Sequence, residues 1–212
     1  MSRLTLIVAA TIFNGIGRNA GLPWRLPQEM AYFARVTSNA PEGTANAVVM
    51  GRNTWESIPL KFRPLKNRIN VVISRNESYA LEHTKSVTTP PVKFSTDLNA
   101  ALVQLSGKEL EGHSLYRSFI IGGASLYQET LSLPPSSIVF VDRILITRII
   151  SPAFDDCDVF MPNFLDEANA TDGHSAWTRA SHAELANWVG FDVPEGIQEE
   201  KGVQYEFQMW IR

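Results

Sequence analysis

The chain has 212 residues, 44% hydrophobic and 19% charged, with 19 basic against 22 acidic residues and a net charge of −3. That composition suits a folded domain able to bury a full core, excludes disorder as the main state, and argues against a nucleic-acid-binding surface, which needs a basic excess. One cysteine, Cys157, excludes an internal disulfide, no apolar run approaches the twenty residues of a membrane helix, and the N-terminus lacks a signal-peptide pattern, so a cytoplasmic chain is expected.

Leu4–Thr11 is a near-continuous apolar run, the pattern of a strand buried on both faces. It leads into Gly15-Ile16-Gly17-Arg18-Asn19-Ala20-Gly21, which nearly matches the dinucleotide fingerprint but carries one extra residue. That fingerprint needs a helix to begin inside it, and the two prolines of Leu22-Pro23-Trp24-Arg25-Leu26-Pro27 forbid one. A standard Rossmann site is therefore rejected. The segment reads as a mobile, glycine-hinged loop carrying Trp24, with a plain surface connection as the ordinary alternative.

The spacing predicts a helix over Leu26–Thr37, with Pro27 in its first turn and Leu26, Met30 and Phe33 as an apolar stripe. Glu29 falls inside that stripe and is expected to face inward, where burial raises its pKa unless a donor or a cation meets it. The ordinary alternative is a glutamate that satisfies the helix N-terminus. Ala47–Met50 reads as a second buried strand, followed by a short helix from about Thr54, and Ile69–Ile73 as a third strand. Asp97–Leu105 reads as a helix with Ser95 or Thr96 as its cap. Ser118–Ile121 is a strand, Ser125–Leu131 a helix, and Ile138–Ile149 contains another strand.

Val203–Ile211 alternates strictly, as a half-exposed antiparallel strand does, with Trp177–Ala180 as its partner. Glu184–Lys201, with Gly190, Pro194 and Gly196, reads as a long loop. The expected fold is α/β: a central, mainly parallel twisted sheet of about eight strands with an antiparallel C-terminal edge, flanked by helices, in a single domain over residues 1–212.

In such sheets ligands bind beyond the carboxyl ends of the strands. Three turns there carry ligand chemistry: Met50-Gly51-Arg52-Asn53-Thr54-Trp55, Ser74-Arg75, and Ile120-Ile121-Gly122-Gly123-Ala124-Ser125. Glycine lets the backbone approach a ligand, and helix N-termini take anions. Each turn alone is a common connector; together they favour a phosphate-rich ligand. None offers the acid that would grip a free ribose 2′-hydroxyl and two offer arginine, which prefers a 2′-phosphate and hence NADP over NAD. His83, His113, His174 and His182 are scattered without metal-ligand spacing. Cys157 sits among Asp155, Asp156 and Asp158, a solvated acidic turn that keeps its thiol protonated.

These motifs together resemble the dihydrofolate reductase family, of the longer eukaryotic, fungal type. The residues that carry the resemblance are Ile7-Val8-Ala9-Ala10, Gly15–Asn19 with Leu22-Pro23-Trp24, Met50–Pro59, Arg63–Arg68, Ser74-Arg75, Ile121–Tyr127 and Gln198–Phe207, in the family's order over nearly the whole chain. The resemblance implies an oxidoreductase acting on a CH-NH bond: NADPH-dependent reduction of 7,8-dihydrofolate to 5,6,7,8-tetrahydrofolate, supplying one-carbon carriers for thymidylate and purine synthesis. It implies a monomer that binds dihydrofolate and antifolates, with no metal, nucleic acid or membrane.

It also implies roles for residues. Glu29 is the acidic catalytic residue, meeting the flat donor pair of the pterin with two parallel charge-assisted bonds, and Thr147 braces it. Ile7, Val8 and Ile121 line the pterin slot, Met30, Phe33 and Ile58 shape it, and Tyr127 closes it. Leu65 packs on the aminobenzoyl ring. Arg68 pairs with the α-carboxylate of the glutamate tail, with a structural ion pair as the alternative. For NADPH, Arg52, Ser74 and Arg75 hold the 2′-phosphate, while Thr54 and the helix start Gly123-Ala124-Ser125-Leu126 hold the pyrophosphate. Ala9, Ile16, Leu22, Trp24, Gly51, Asn53, Gly122 and Tyr127 complete that site, and the Gly122–Gly123 bond is cis. Met30, Phe62 and the segments Ser86–Thr96 and Asp166–Lys201 depart from the vertebrate pattern and bear on ligand selectivity.

Two other readings stand beside this one. A same-fold reductase of another heterocycle is disfavoured by Glu29 and by Leu22-Pro23-Trp24. A non-enzymatic NADPH-binding module is disfavoured by an acid in an apolar slot.

Overall fold

The computed structural model describes residues 2–79, 90–165 and 176–212. Its strands are β1 (Ser2–Thr11), β2 (Gly15–Gly17), β3 (Thr44–Gly51), β4 (Ile69–Ile73), β5 (Val92–Ser95), β6 (Glu109–Leu110), β7 (His113–Ile120), β8 (Val139–Ser151), β9 (Val159–Phe160), β10 (Thr178–Arg179), β11 (Gln198–Glu200) and β12 (Val203–Ile211). Its helices are α1 (Pro27–Ser38), α2 (Arg52–Ser57), α3 (Leu98–Leu105), α4 (Ala124–Leu131) and α5 (His182–Val189).

The main sheet runs β10-β12-β8-β1-β7-β3-β4-β5, with β11 on β12 and β6 on β7. Every pair from β8 to β5 is parallel, whereas β12 runs antiparallel to β8 and β10 antiparallel to β12. The apolar runs make this sheet because both of its faces are covered. Leu4, Leu6 and Ala10 of β1 enter one core layer with Leu102, Leu126 and Ile146. Ile7 enters the other with Tyr32, Val36, Phe119, Leu145 and Phe207. Each fully buried Leu, Ile or Phe contributes about 1.5–3 kcal/mol. No described helix is long and apolar enough to cross a membrane.

Several expectations change. Glu184–Lys201 is not a loop: it contains most of α5 and all of β11. Ser181 and Glu184 form a reciprocal capping box, Leu185 and Val189 are buried, and Gly190 ends the helix at φ 80. The glycine that suggested a loop is a helix stop. The cap of α3 is Asp97, whose side chain accepts from the Ala100 N–H at 2.8 Å, while Ser95 Oγ donates to the Asp97 carbonyl.

The α1 stripe is also rotated. Glu29, Tyr32, Val36 and Thr37 are its buried residues, and Met30 is 43% exposed. Tyr32 stacks on Phe207 at 4.1 Å, so a ring from the antiparallel edge chooses the buried face.

The segment after β1 is tied down. β2 pairs with β9, Arg18 pairs with Asp156, and the Asn19 N–H donates to Asp158 at 2.9 Å. The acidic turn therefore fastens this loop as well as facing water. A Cβ on Gly15 would meet Cys157 Sγ at 2.6 Å, so only glycine fits there. Burial, Asp156 and Asp158 together push the Cys157 thiol up.

Candidate active site

Glu29 is 6% exposed, in the first turn of α1. Thr147 Oγ1 donates to Glu29 Oε1 at 3.0 Å. Thr147 lies on β8 between Ala9 of β1 and Phe207 of β12, so the brace comes from the centre of the sheet. Burial pushes the Glu29 carboxyl up to about 7; the Thr147 hydrogen bond pulls it down, and the negative charge of Glu200 pushes it up. Among the described residues no Lys, Arg or His side chain pairs with it.

Sequence reasoning missed the role of Glu200. The N-cap position of α1 is Leu26, which has no side-chain acceptor. The carboxylate of Glu200 takes that place, accepting the Gln28 N–H at 3.2 and 3.1 Å. A cap supplied from 172 positions away leaves no local signal. The hydroxyls of Tyr32 and Tyr205 sit beside the two acids. Burial first, then the carboxylates, pushes both up, Tyr205 to about 12. Tyr32 Oη and Trp24 Nε1 are buried without a hydrogen-bond partner among the described residues.

The other residues assigned to the slot are arranged as follows. Ile7 and Val8 are buried, and Phe33, Ile58, Leu65 and Ile121 pack half-buried against the second core layer. Tyr127 is buried, and its hydroxyl donates to the Ile7 carbonyl at 3.0 Å. That carbonyl therefore already has a partner. Arg68 is 7% exposed; its Nε donates to the Lys66 carbonyl at 2.8 Å and one Nη to Thr37 Oγ1. Burial lowers its pKa to about 10. No described carboxylate lies within 4 Å of it, so the structural ion pair weighed above is not formed among the described residues.

Two glycine turns meet at the carboxyl edge. The Gly51 N–H donates to the Gly122 carbonyl at 2.9 Å, and the Gly122–Gly123 peptide is cis. A Cβ on Gly122, at φ 118, would meet Thr54 Oγ1 and Tyr127 Oη, both at 3.4 Å. The helices that start here, α2 and α4, have no side-chain cap, whereas α3 and α5 do. Their first N–H groups are left for a ligand, a donor set suited to phosphate.

Around these turns, Arg52 pairs loosely with Glu56 at 3.9 Å, Arg75 and Asn53 are exposed, and Ser74 is buried and accepts from the Asn76 N–H. Ala124 is half-buried and Ser125 exposed, and Leu126 points into the core. Ile16 packs against the first core layer, Leu22 is exposed, and Trp24 is buried edge-on against Phe154 at 5.3 Å. The residues present thus fit a dinucleotide phosphate at this edge. Among the described residues no cluster of His, Cys, Asp or Glu could hold a metal; His83 and His174 lie outside them.

A family model described as dihydrofolate reductase matches residues 3–187. A dihydrofolate reductase of Cryptococcus neoformans is 45% identical, covering 98% of this chain and 94% of its own. One of Pneumocystis carinii is 44% identical, covering 99% and 96%. The solved structure of Schistosoma mansoni dihydrofolate reductase superposes with a TM-score of 0.72 at 35% identity, covering 99% of this chain and 98% of that one. A buried acid braced from the sheet, two helix starts without side-chain caps at the carboxyl ends of the parallel strands, and likeness along nearly the full length converge: the chain belongs to the dihydrofolate reductase family.

Proposed function

We propose that this chain reduces 7,8-dihydrofolate to 5,6,7,8-tetrahydrofolate with NADPH, and that Glu29 manages the proton. The observation that carries the reading is the Glu29 carboxyl: buried, held by Thr147, unpaired with any described cation, and poised near neutrality. Thr147 occupies one side of Oε1 and leaves Oε2 for a ligand. A carboxylate so placed accepts two parallel N–H bonds from a flat amino-heterocycle. With a pKa of about 7 it takes a proton from solvent and gives it up again at physiological pH, the condition for general acid work.

Bound NADPH supplies the hydride. Arg52, Ser74 and Arg75 hold its 2′-phosphate, and Thr54 with the Gly123–Leu126 helix start holds the pyrophosphate. Ala9, Ile16, Leu22, Trp24, Gly51, Asn53, Gly122 and Tyr127 complete that site. Ile7, Val8, Ile121, Met30, Phe33, Ile58 and Tyr127 surround the pterin, and Leu65 meets the aminobenzoyl ring. The buried Arg68, without an acidic partner among the described residues, is suited to the glutamate α-carboxylate. The same reading makes the chain a cytoplasmic monomer whose partners are small molecules, antifolates included.

The test is loss of reduced-nicotinamide absorbance on mixing the chain with NADPH and dihydrofolate. Turnover with dihydrofolate and none without it supports the reading. Turnover only with another heterocycle, or NADPH binding without turnover, overturns it.

A further inference from the structure

Two cavities, of about 280 and 270 Å³, lie at the amino ends of the parallel strands, opposite the edge that carries Gly51 and Gly122, and share a wall of Tyr116, Arg117 and Trp188. The larger takes one arginine from each of three neighbouring strands: Arg3 of β1, Arg117 of β7 and Arg143 of β8.

Two strand irregularities aim these side chains. The β1–β8 register runs from Leu4↔Val141 to Thr5↔Arg143, which leaves Asp142 as an extra residue. The β3–β7 register runs from Ala45↔Leu115 to Ala47↔Ser118, which leaves an extra residue beside Arg117. The buried Asn46 stabilises the second bulge, accepting the Arg117 N–H at 3.2 Å and donating to the Thr37 and Asn39 carbonyls. Bulges re-aim side chains and gather at functional sites.

Charge in the cavity is unbalanced. Asp142 is the only described carboxylate within 4 Å of the three guanidinium groups, at 3.9 Å from Arg3 and 3.8 Å from Arg143, both beyond hydrogen-bond reach. Arg117 has no such partner among the described residues. Arg143 Nε and Asp142 Oδ1 are buried without a hydrogen-bond partner among the described residues. Burial, and after it the adjacent guanidinium groups, lower the pKa of Arg117 and Arg143 against the opposing pull of Tyr116 and Asp142.

The ordinary explanation is that Arg117 and Arg143 fasten α5, since they lie 3.8 and 4.7 Å from the Trp188 ring centre. Stacking uses the flat face of a guanidinium and leaves its in-plane N–H donors unused. A purely structural stack would also pair the buried Arg143 Nε, as buried donors are in native proteins.

We propose that the Arg3–Arg117–Arg143 cavity binds a phosphate group, free or as a monoester, with Trp188 and Tyr116 as its aromatic wall. A dianion neutralises the local excess of three cations over one carboxylate, and planar guanidinium forks match phosphate oxygens. The volume equals about nine waters, which leaves room for the carrier of a monoester.

The test is calorimetric titration of the full chain, carrying one equivalent of NADPH at the other edge and no excess, with inorganic phosphate and with ribose 5-phosphate at constant ionic strength. Saturable binding is expected. Arg117→Gln should weaken it about 10- to 150-fold, the loss of one charge-assisted contact, while Lys201→Gln, at an exposed lysine outside the cavity, leaves it unchanged. Arg3→Gln serves if Arg117→Gln does not fold, because Arg3 is half-exposed and does not stack on Trp188. It should weaken binding in the same direction. Equal affinity for the two probes identifies free phosphate, and tighter binding of ribose 5-phosphate a monoester; both uphold the site. No saturable heat, or binding indifferent to Arg117 and Arg3, overturns it.

Discussion

Moving the Glu29 carboxyl from water into the buried space between α1 and β8 raises its pKa from 4.5 to about 7, and that shift is linked to stability. Below pH 4.5 both folded and unfolded chains hold the proton. Between 4.5 and 7 the unfolded chain ionises first, so unfolding releases a proton and stability falls as pH rises, by roughly 3 kcal/mol in all. Glu29→Gln is therefore expected to flatten this decline and to be the more stable protein at pH 8, as denaturant unfolding against pH will show. Activity should move the other way. Proton delivery by a positioned group is worth about 10²- to 10⁴-fold, so Glu29→Ala should lose about that much single-turnover hydride transfer at pH 7 and less as solvent acid takes over. A loss of only a few-fold would make Glu29 a plain helix-terminus residue. At the other ligand, Arg75→Ala should weaken NADPH about 10- to 150-fold and leave NADH unaffected; equal losses for both would remove the 2′-phosphate assignment.

At the scale of elements, α1 depends on β11. The helix has no local cap, and Glu200 both satisfies its first turn and adds negative charge near Glu29. Glu200→Gln keeps an acceptor but removes that charge. The pKa seen in the pH profile of hydride transfer should fall, while NADPH affinity stays unchanged; a profile that does not move would show that Glu200 acts on the helix alone. The helix α5, by contrast, carries its own signals. Ser181→Ala should cost about 1 kcal/mol, seen as a lowered melting temperature. The capping box Ser181–Glu184 is legible in the sequence, but Gly190 with Pro194 and Gly196 just beyond it reads equally as a loop or as a helix end, because glycine marks both. Met30 lies outside the buried stripe for another reason: two apolar stripes fit the same helix, and the ring of Phe207 selects the one with Tyr32.

For the whole molecule, ligands at the carboxyl edge should bind only the folded chain. A diaminopyrimidine antifolate at about 1,000 times its dissociation constant should stabilise the protein by roughly 4 kcal/mol, and an unchanged melting temperature with antifolate and NADPH would contradict the slot. The sequence by itself determined the parallel sheet, its antiparallel edge and the glycine turns at the strand ends, because apolar runs, strict alternation and glycine are local signals. It also marked Glu29 as an inward-facing acid through its place in a helical stripe. Only the tertiary structure decided which cap α1 uses, that Arg68 has no acidic partner among the described residues, that the Ile7 carbonyl accepts from Tyr127, and that three arginines converge at the far end of the sheet. Strand order and register set Glu200 beside Gln28, Tyr127 beside Ile7, and Arg3 beside Arg117 and Arg143, each more than a hundred positions away in sequence, and burial then sets their charge by removing water that no local pattern records.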